Sequence, residues 1–128
     1  MKKLMCEEGV NIILDRYTYS GVAYTAAKGI SVEWCMGPEK GLIKPDVVLY
    51  LDLEVKAALE RISDGANERY ETQTFLEKVK SVYDDKLFDK EFWTGFDASQ
   101  KIEDITSQLY DKIISVIAEC KETPFKLI

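Results

Sequence analysis

The strongest constraint on the fold lies between residues 10 and 26. A short, β-branched apolar run (Val10, Ile12, Ile13, Leu14) breaks into Asp15-Arg16-Tyr17 and then a Ser20-Gly21 step. An apolar run this short, without alternation, reads as a strand buried on both faces, the pattern of a parallel sheet covered by helices. A second run at residues 47–51, set between Pro45-Asp46 and Asp52, has the same character. In open α/β sheets, ligands sit beyond the carboxyl ends of the strands. Asp15 and Arg16 are therefore expected at the mouth of a site.

The rest of the chain supplies helices for such a sheet. Residues 1–8 read as the last turns of a helix, with Gly9 at its C′ position. The stretch from Ser20 to Ala27 is helical and ends at Lys28-Gly29. After the loop marked by Gly37-Pro38, Gly41 and Pro45, the spacing predicts a helix over 55–62 with Leu59 and Ile62 inward. Residues 63–69 are polar and contain Gly65, a surface loop. Phe75, Val79, Val82 and Leu87 keep a helical period, predicting a long amphipathic helix over 70–88. Phe92, Trp93 and Phe96 mark a third strand interrupted by Gly95. Asp97-Ala98-Ser99 then turns into a last helix whose inward stripe is Ile102, Ile105, Leu109, Ile113, Val116, Ile117 and Cys120. The tail from Thr123 is expected to fray. The order β-α-α-β-α-α-β-α implies parallel strands with helical crossovers in one domain over residues 1–128.

Composition narrows the chemistry. With 46% hydrophobic residues the chain can build a core, and disorder is disfavoured. A net charge of −6, with no basic run longer than Lys2-Lys3, disfavours nucleic acid and anionic membranes as partners. The absence of histidine removes the Ser-His-Asp triad and, with the scattered Cys6, Cys35 and Cys120, makes a zinc site improbable. No apolar stretch spans a bilayer and the N-terminus lacks the apolar region of a secretory signal, so a cytoplasmic (or nuclear) location is expected.

The string DRYTYSGVAYTAAKG, continuing through Trp34-Cys35 to GLIKPDVVLYLDL, and the later blocks ERYET and FDASQKIEDI, closely resemble the eukaryotic thymidylate kinases. These enzymes transfer the γ-phosphate of ATP, with Mg2+, to dTMP. The resemblance implies a P-loop NTPase, nucleoside monophosphate kinase-like fold of three layers, a homodimer, and a short helix over 30–37. It also implies that the helices leading into and following Asp15 lie near the dimer interface.

Residue by residue, the spacing and the resemblance weigh differently. A guanidinium matches phosphate oxygens bidentately, yet from spacing alone a strand-end salt bridge is the commoner role for Arg16. The resemblance reverses that and implies that Arg16 holds the dTMP phosphate, with Asp15 near metal and phosphates. Ser20, Gly21, Tyr24 and Thr25 recur at one-turn spacing. Tyr24 alone would read as core; the resemblance places it against the deoxyribose, with Thr25 at the base edge. Charge composition makes residues 61–70 a solvated loop, while the resemblance makes them a lid. Arg61 or Arg69 would then stabilise the transferring phosphoryl group or stack on adenine, and Tyr70 would contact the monophosphate. Ala98 and Ser99 would flank adenine, largely through main chain; the plainer role for Ser99 is to cap the last helix.

No G-x-x-x-x-G-K-[ST] and no G-x-G-x-x-G occurs, and the seven glycines are isolated. Without the cradle of N–H groups and its lysine, phosphoryl transfer by these 128 residues alone is not expected. The chain resembles only the family's C-terminal portion, in which a missing P-loop strand would sit between the strands at 10–14 and 47–51. The slot would be closed by direct pairing of those strands or by exchange with another chain. Two other readings stand beside the kinase: a non-catalytic interaction module, and a deoxynucleoside kinase relative, against which Tyr17 and Lys44-Pro45-Asp46 argue.

Overall fold

The computed structural model describes residues 10–61, 68–120 and 124–128, the side chains of residues 68–71 excepted. Its elements run α1 (Thr18–Ala26), α2 (Val32–Met36), a 3₁₀ turn (Gly37–Glu39), β1 (Val48–Asp52), α3 (Val55–Arg61), α4 (Glu68–Val82), a π-helical turn (Tyr83–Leu87), β2 (Trp93–Asp97) and α5 (Ile102–Cys120). β1 and β2 pair in parallel, in a register that sets Val48 against Trp93, Tyr50 against Gly95 and Asp52 against Asp97. The expected parallel α/β architecture is therefore present.

One face of this sheet carries the core. Side chains on a strand alternate, so Val48 and Tyr50 share a face with the facing Trp93. Over it pack Val79 of α4, Leu87 of the π turn, and Tyr19, Val22 and Ala23 of α1. The spacing of Thr18, Tyr19, Val22 and Ala23 puts all four buried residues of α1 on one helical face. Trp93 joins the layers, with ring centroids 5.3 Å from Tyr19, 5.7 Å from Phe88 and 5.9 Å from Tyr50. α2 starts where Ser31 accepts the Trp34 N–H on its hydroxyl, a conventional N-cap. The chain then continues through Gly37-Pro38 as the 3₁₀ turn.

Several expectations are corrected. Residues 10–14 form no strand; Ile13 is 79% exposed, and Val10 and Leu14 are also exposed. The physical reason is that an apolar run demands burial but cannot supply its own ladder partner. Among the described residues β1 pairs only with β2, so direct closure onto 10–14 does not occur. Gly95 does not interrupt its strand but continues it opposite Tyr50. The helix predicted over 70–88 begins at Glu68, which puts Arg69 and Tyr70 in its first turn instead of in a loop, and it passes into the π turn after Val82. The stripe on α5 is at most half-buried, and Ile102 is 78% exposed, because among the described residues α5 makes no extensive contact with another element. Residues 124–128 of the tail are tied down. Leu127 bridges Ile43, the Ile128 N–H donates to the Leu42 carbonyl, and the Gly41 N–H donates to that of Ile128. The helix expected over residues 1–8, the inward Ile62 and the loop over 62–67 lie outside the described residues.

Candidate functional site

The turn between the exposed run and α1 sets Arg16. Its backbone has φ of +67°, the left-handed region that a non-glycine residue adopts at a cost of about 1 kcal/mol or more. Strain of this kind is held only where the surroundings fix it. Here the Arg16 guanidinium lies over the Tyr24 ring, 5.6 Å from the ring centre. Tyr24 in turn meets Phe75 of α4 edge-on at 6.0 Å. The face of Tyr24 thus orients the cation and Phe75 orients Tyr24. Arg16 is exposed and makes no ion pair with Asp15.

The other predicted acceptor-side residues follow on α1. Ser20, Tyr24 and Thr25 are half-buried, whereas Gly21 is exposed, and a Cβ built there would meet nothing within 4 Å. Asp15 is exposed at a bend. Among the described residues no group of three or more His, Cys, Asp or Glu side chains gathers into a metal cage.

A second group of residues forms where β1 and β2 end. The Arg61 guanidinium, at the last residue of α3, donates to the Ala98 carbonyl at 3.0 Å. The Ala98 N–H donates to the Asp52 carbonyl at 2.8 Å, extending the ladder one step past the strands. The Ser99 N–H donates to the Asp97 carboxylate at 2.8 Å, and the Ser99 side chain together with this N–H holds Asp97 below the usual carboxylate range. Ser99 therefore does not cap α5, which begins three residues later. The structure brings Arg61 and Ala98 together. The side chains of Arg69 and Tyr70 lie outside the described residues.

Residues that sequence reasoning did not single out sit beside this turn. Lys80 of α4 bonds Asp52 at the end of β1 and lies 3.1 Å from Asp84. The Tyr50 hydroxyl donates to Asp84 at 3.1 Å. Burial, reinforced by the Asp84 charge, pushes the Tyr50 hydroxyl well above its usual range. Burial pulls Lys80 down, but its hydrogen bonds to Asp52 and Asp84 outweigh that and leave it raised. Tyr50, Asp52, Asp84, Phe88, Phe96 and Asp97, with Gly95, line an open cleft of about 490 Å³. Asp52 and Lys80 are 28 positions apart, so their pairing leaves no local signal in the sequence.

A parallel α/β sheet whose Asp97-Ala98-Ser99 turn is fixed by hydrogen bonds, with an arginine set on an aromatic ring ahead of α1, defines the class of fold to which the chain belongs. The solved thymidylate kinase from Candida albicans superposes with a TM-score of 0.72 and 34% identity, over 91% of this chain and 60% of that one. The thymidylate kinase family model matches residues 3–109. Relatives include the thymidylate kinases of Danio rerio (41% identical, 95% of this chain, 58% of that one) and Dictyostelium discoideum (44%, 82% and 46%). The human thymidylate kinase is 42% identical over 75% of this chain and 46% of that one. The chain belongs to the thymidylate kinase family. It spans about half the length of the curated relatives it matches.

Proposed function

We propose that this chain carries the acceptor-binding and donor-turn parts of a kinase that phosphorylates dTMP with ATP and Mg2+. The observation that carries the reading is the strained Arg16, whose guanidinium is set on the Tyr24 ring at the end of an apolar run. A planar fork held this way can take two phosphate oxygens at once. Tyr24 would lie along the sugar, with Ser20, Gly21 and Thr25 on the same helix, and Tyr70 would approach the monophosphate from α4. On the donor side Ala98 and Ser99 would present main-chain groups to adenine. Arg61 belongs with them, because its bond to Ala98 favours a purine-side role over one at the transferring phosphoryl group. Arg69 is the lid arginine left for the phosphoryl group. Asp15 would face the metal and phosphates.

ATP and Mg2+ supply the phosphoryl group and neutralise its charge. The chain's own residues bind and orient the acceptor. Since the 128 residues hold no G-x-x-x-x-G-K-[ST], the chain by itself should bind nucleotide without transferring phosphate. Self-association belongs to the same reading and is supported by the exposed Ile13 and Trp34. Among the described residues no helix is long and apolar enough to cross a membrane; a cytosolic or nuclear location belongs to the family reading alone.

Calorimetric titration of dTMP and of thymidine into the purified chain tests the reading. dTMP should bind more tightly than thymidine, and Arg16→Met should weaken dTMP binding at least about tenfold, as loss of a charged phosphate contact does. Equal affinity for both ligands, or for both proteins, would overturn the acceptor assignment. Formation of dTDP from ATP and Mg2+ by this chain alone would overturn the statement that it does not transfer phosphate.

A further inference from the structure

We infer that Lys80 is a positioning residue for the Asp97-Ala98-Ser99 turn, acting through the carboxyl end of β1. The inference rests on the donor-turn reading above and concerns how that turn keeps its shape. Asp52 and Asp97 are direct partners in the parallel register, so two carboxylates end their strands side by side. Like charges placed opposite one another in a sheet are destabilising. Asp84 lines the same cleft as a third acid. Lys80 answers this cluster, bonding Asp52 and Asp84 from α4, with its ammonium 5.9 Å from the Tyr50 ring centre.

The position of Asp52 matters because its carbonyl receives the Ala98 N–H. Ala98 is held from its other side by Arg61, the last residue of α3. Helices α3 and α4, which flank residues 62–67 in the chain, are thus both tied to Ala98: α3 directly, and α4 through Lys80 and Asp52. Removing the ammonium leaves Asp52, Asp84 and Asp97 to repel one another where the ladder ends. The last rung, Ala98 N–H to Asp52 carbonyl, is the bond that repulsion loosens first. A turn loosened there presents its main-chain groups less well, and the uncompensated cleft also repels a polyphosphate.

Amide hydrogen exchange on Lys80→Met, Lys80→Arg and the double variant Lys80→Met/Asp52→Asn, with ATP titration of each, tests this. Lys80→Met should speed exchange at Ala98 about five- to tenfold while leaving Val22 and Ala23 of α1 unchanged, in keeping with the modest energies of exposed charge pairs. Lys80→Arg should keep the slow exchange, and Asp52→Asn in the Lys80→Met background should restore much of it by removing a charge. ATP affinity should fall in Lys80→Met and recover in the other two. Unchanged exchange at Ala98, or equal acceleration at every amide, would overturn the positioning role. Selective loosening of Ala98 with ATP affinity unchanged would instead refute the donor-turn reading, and with it this inference.

Discussion

Trp93 offers the sharpest test of how this chain holds together. Its side chain is 4% exposed and touches the rings of Tyr19, Tyr50, Tyr83, Phe88 and Phe92. Truncating a buried aromatic to alanine costs about 3–5 kcal/mol through lost transfer energy and the cavity left behind. Each ring pair adds about 0.5–1.5 kcal/mol beyond area. Against a total stability of about 5–15 kcal/mol, Trp93→Ala should leave the chain close to unfolded. Trp93→Phe should behave differently. The Trp93 Nε1–H is buried with no partner among the described residues, and an unmet buried donor costs about 1–3 kcal/mol. Phenylalanine gives up contact area but removes that donor, so its net cost should stay below about 2 kcal/mol. Urea unfolding followed by fluorescence in a Trp34→Phe background isolates Trp93, since Trp34 is 67% exposed and the chain has two tryptophans; circular dichroism follows the Trp93 variants. A cost under about 1 kcal/mol for Trp93→Ala would refute the view that this ring joins the helical layer to the sheet.

Other outcomes follow from single positions. Arg16→Gly relieves the left-handed backbone but gains unfolded-state freedom and loses the ring contact, so stability should move by less than about 1 kcal/mol in urea unfolding while dTMP affinity falls. Gly21→Ala, in open space on α1, should stabilise by about 0.5–1 kcal/mol; if it also weakens dTMP binding, close ligand approach at Gly21 is supported. Gly41→Ala should destabilise by about 1 kcal/mol, because φ there is +89° with no crowding to add. Tyr50 and Lys80 are raised in the fold above their ordinary values of 10.0 and 10.5. Their contribution is therefore fully present below about pH 10 and lost as pH rises beyond it. Thermal melts at pH 8 and pH 11 should show the loss, and Tyr50→Phe should reduce its dependence on pH. Asp97 is lowered, so its contribution is present above the ordinary carboxylate range and disappears as acid protonates it.

Local chemistry in the chain determined much of this. Helical periods placed α3, α4 and α5, the small residues ending at Lys28-Gly29 placed α1, the apolar run at 47–51 marked β1, and Phe92, Trp93 and Phe96 marked β2, whereas α2 came from the family resemblance. The blocks around Asp15-Arg16-Tyr17 and Asp97-Ala98-Ser99 pointed to the family. These signals lie within a few residues of each other, and local sterics and periodicity read them without a partner.

What only the tertiary structure decided concerns partners distant in the chain. Whether residues 10–14 become a strand depends on a partner edge; among the described residues they pair with neither open edge of the β1–β2 sheet, and Val10, Ile13 and Leu14 stay exposed. The stripe of α5 is apolar at the right spacing yet stays at most half-buried for the same reason. Arg61 on Ala98, Lys80 on Asp52 and the tail on Ile43 each join positions at least 28 residues apart. Burial and hydrogen bonding are properties of pairs of surfaces, and a sequence names one member of each pair while the fold selects the other.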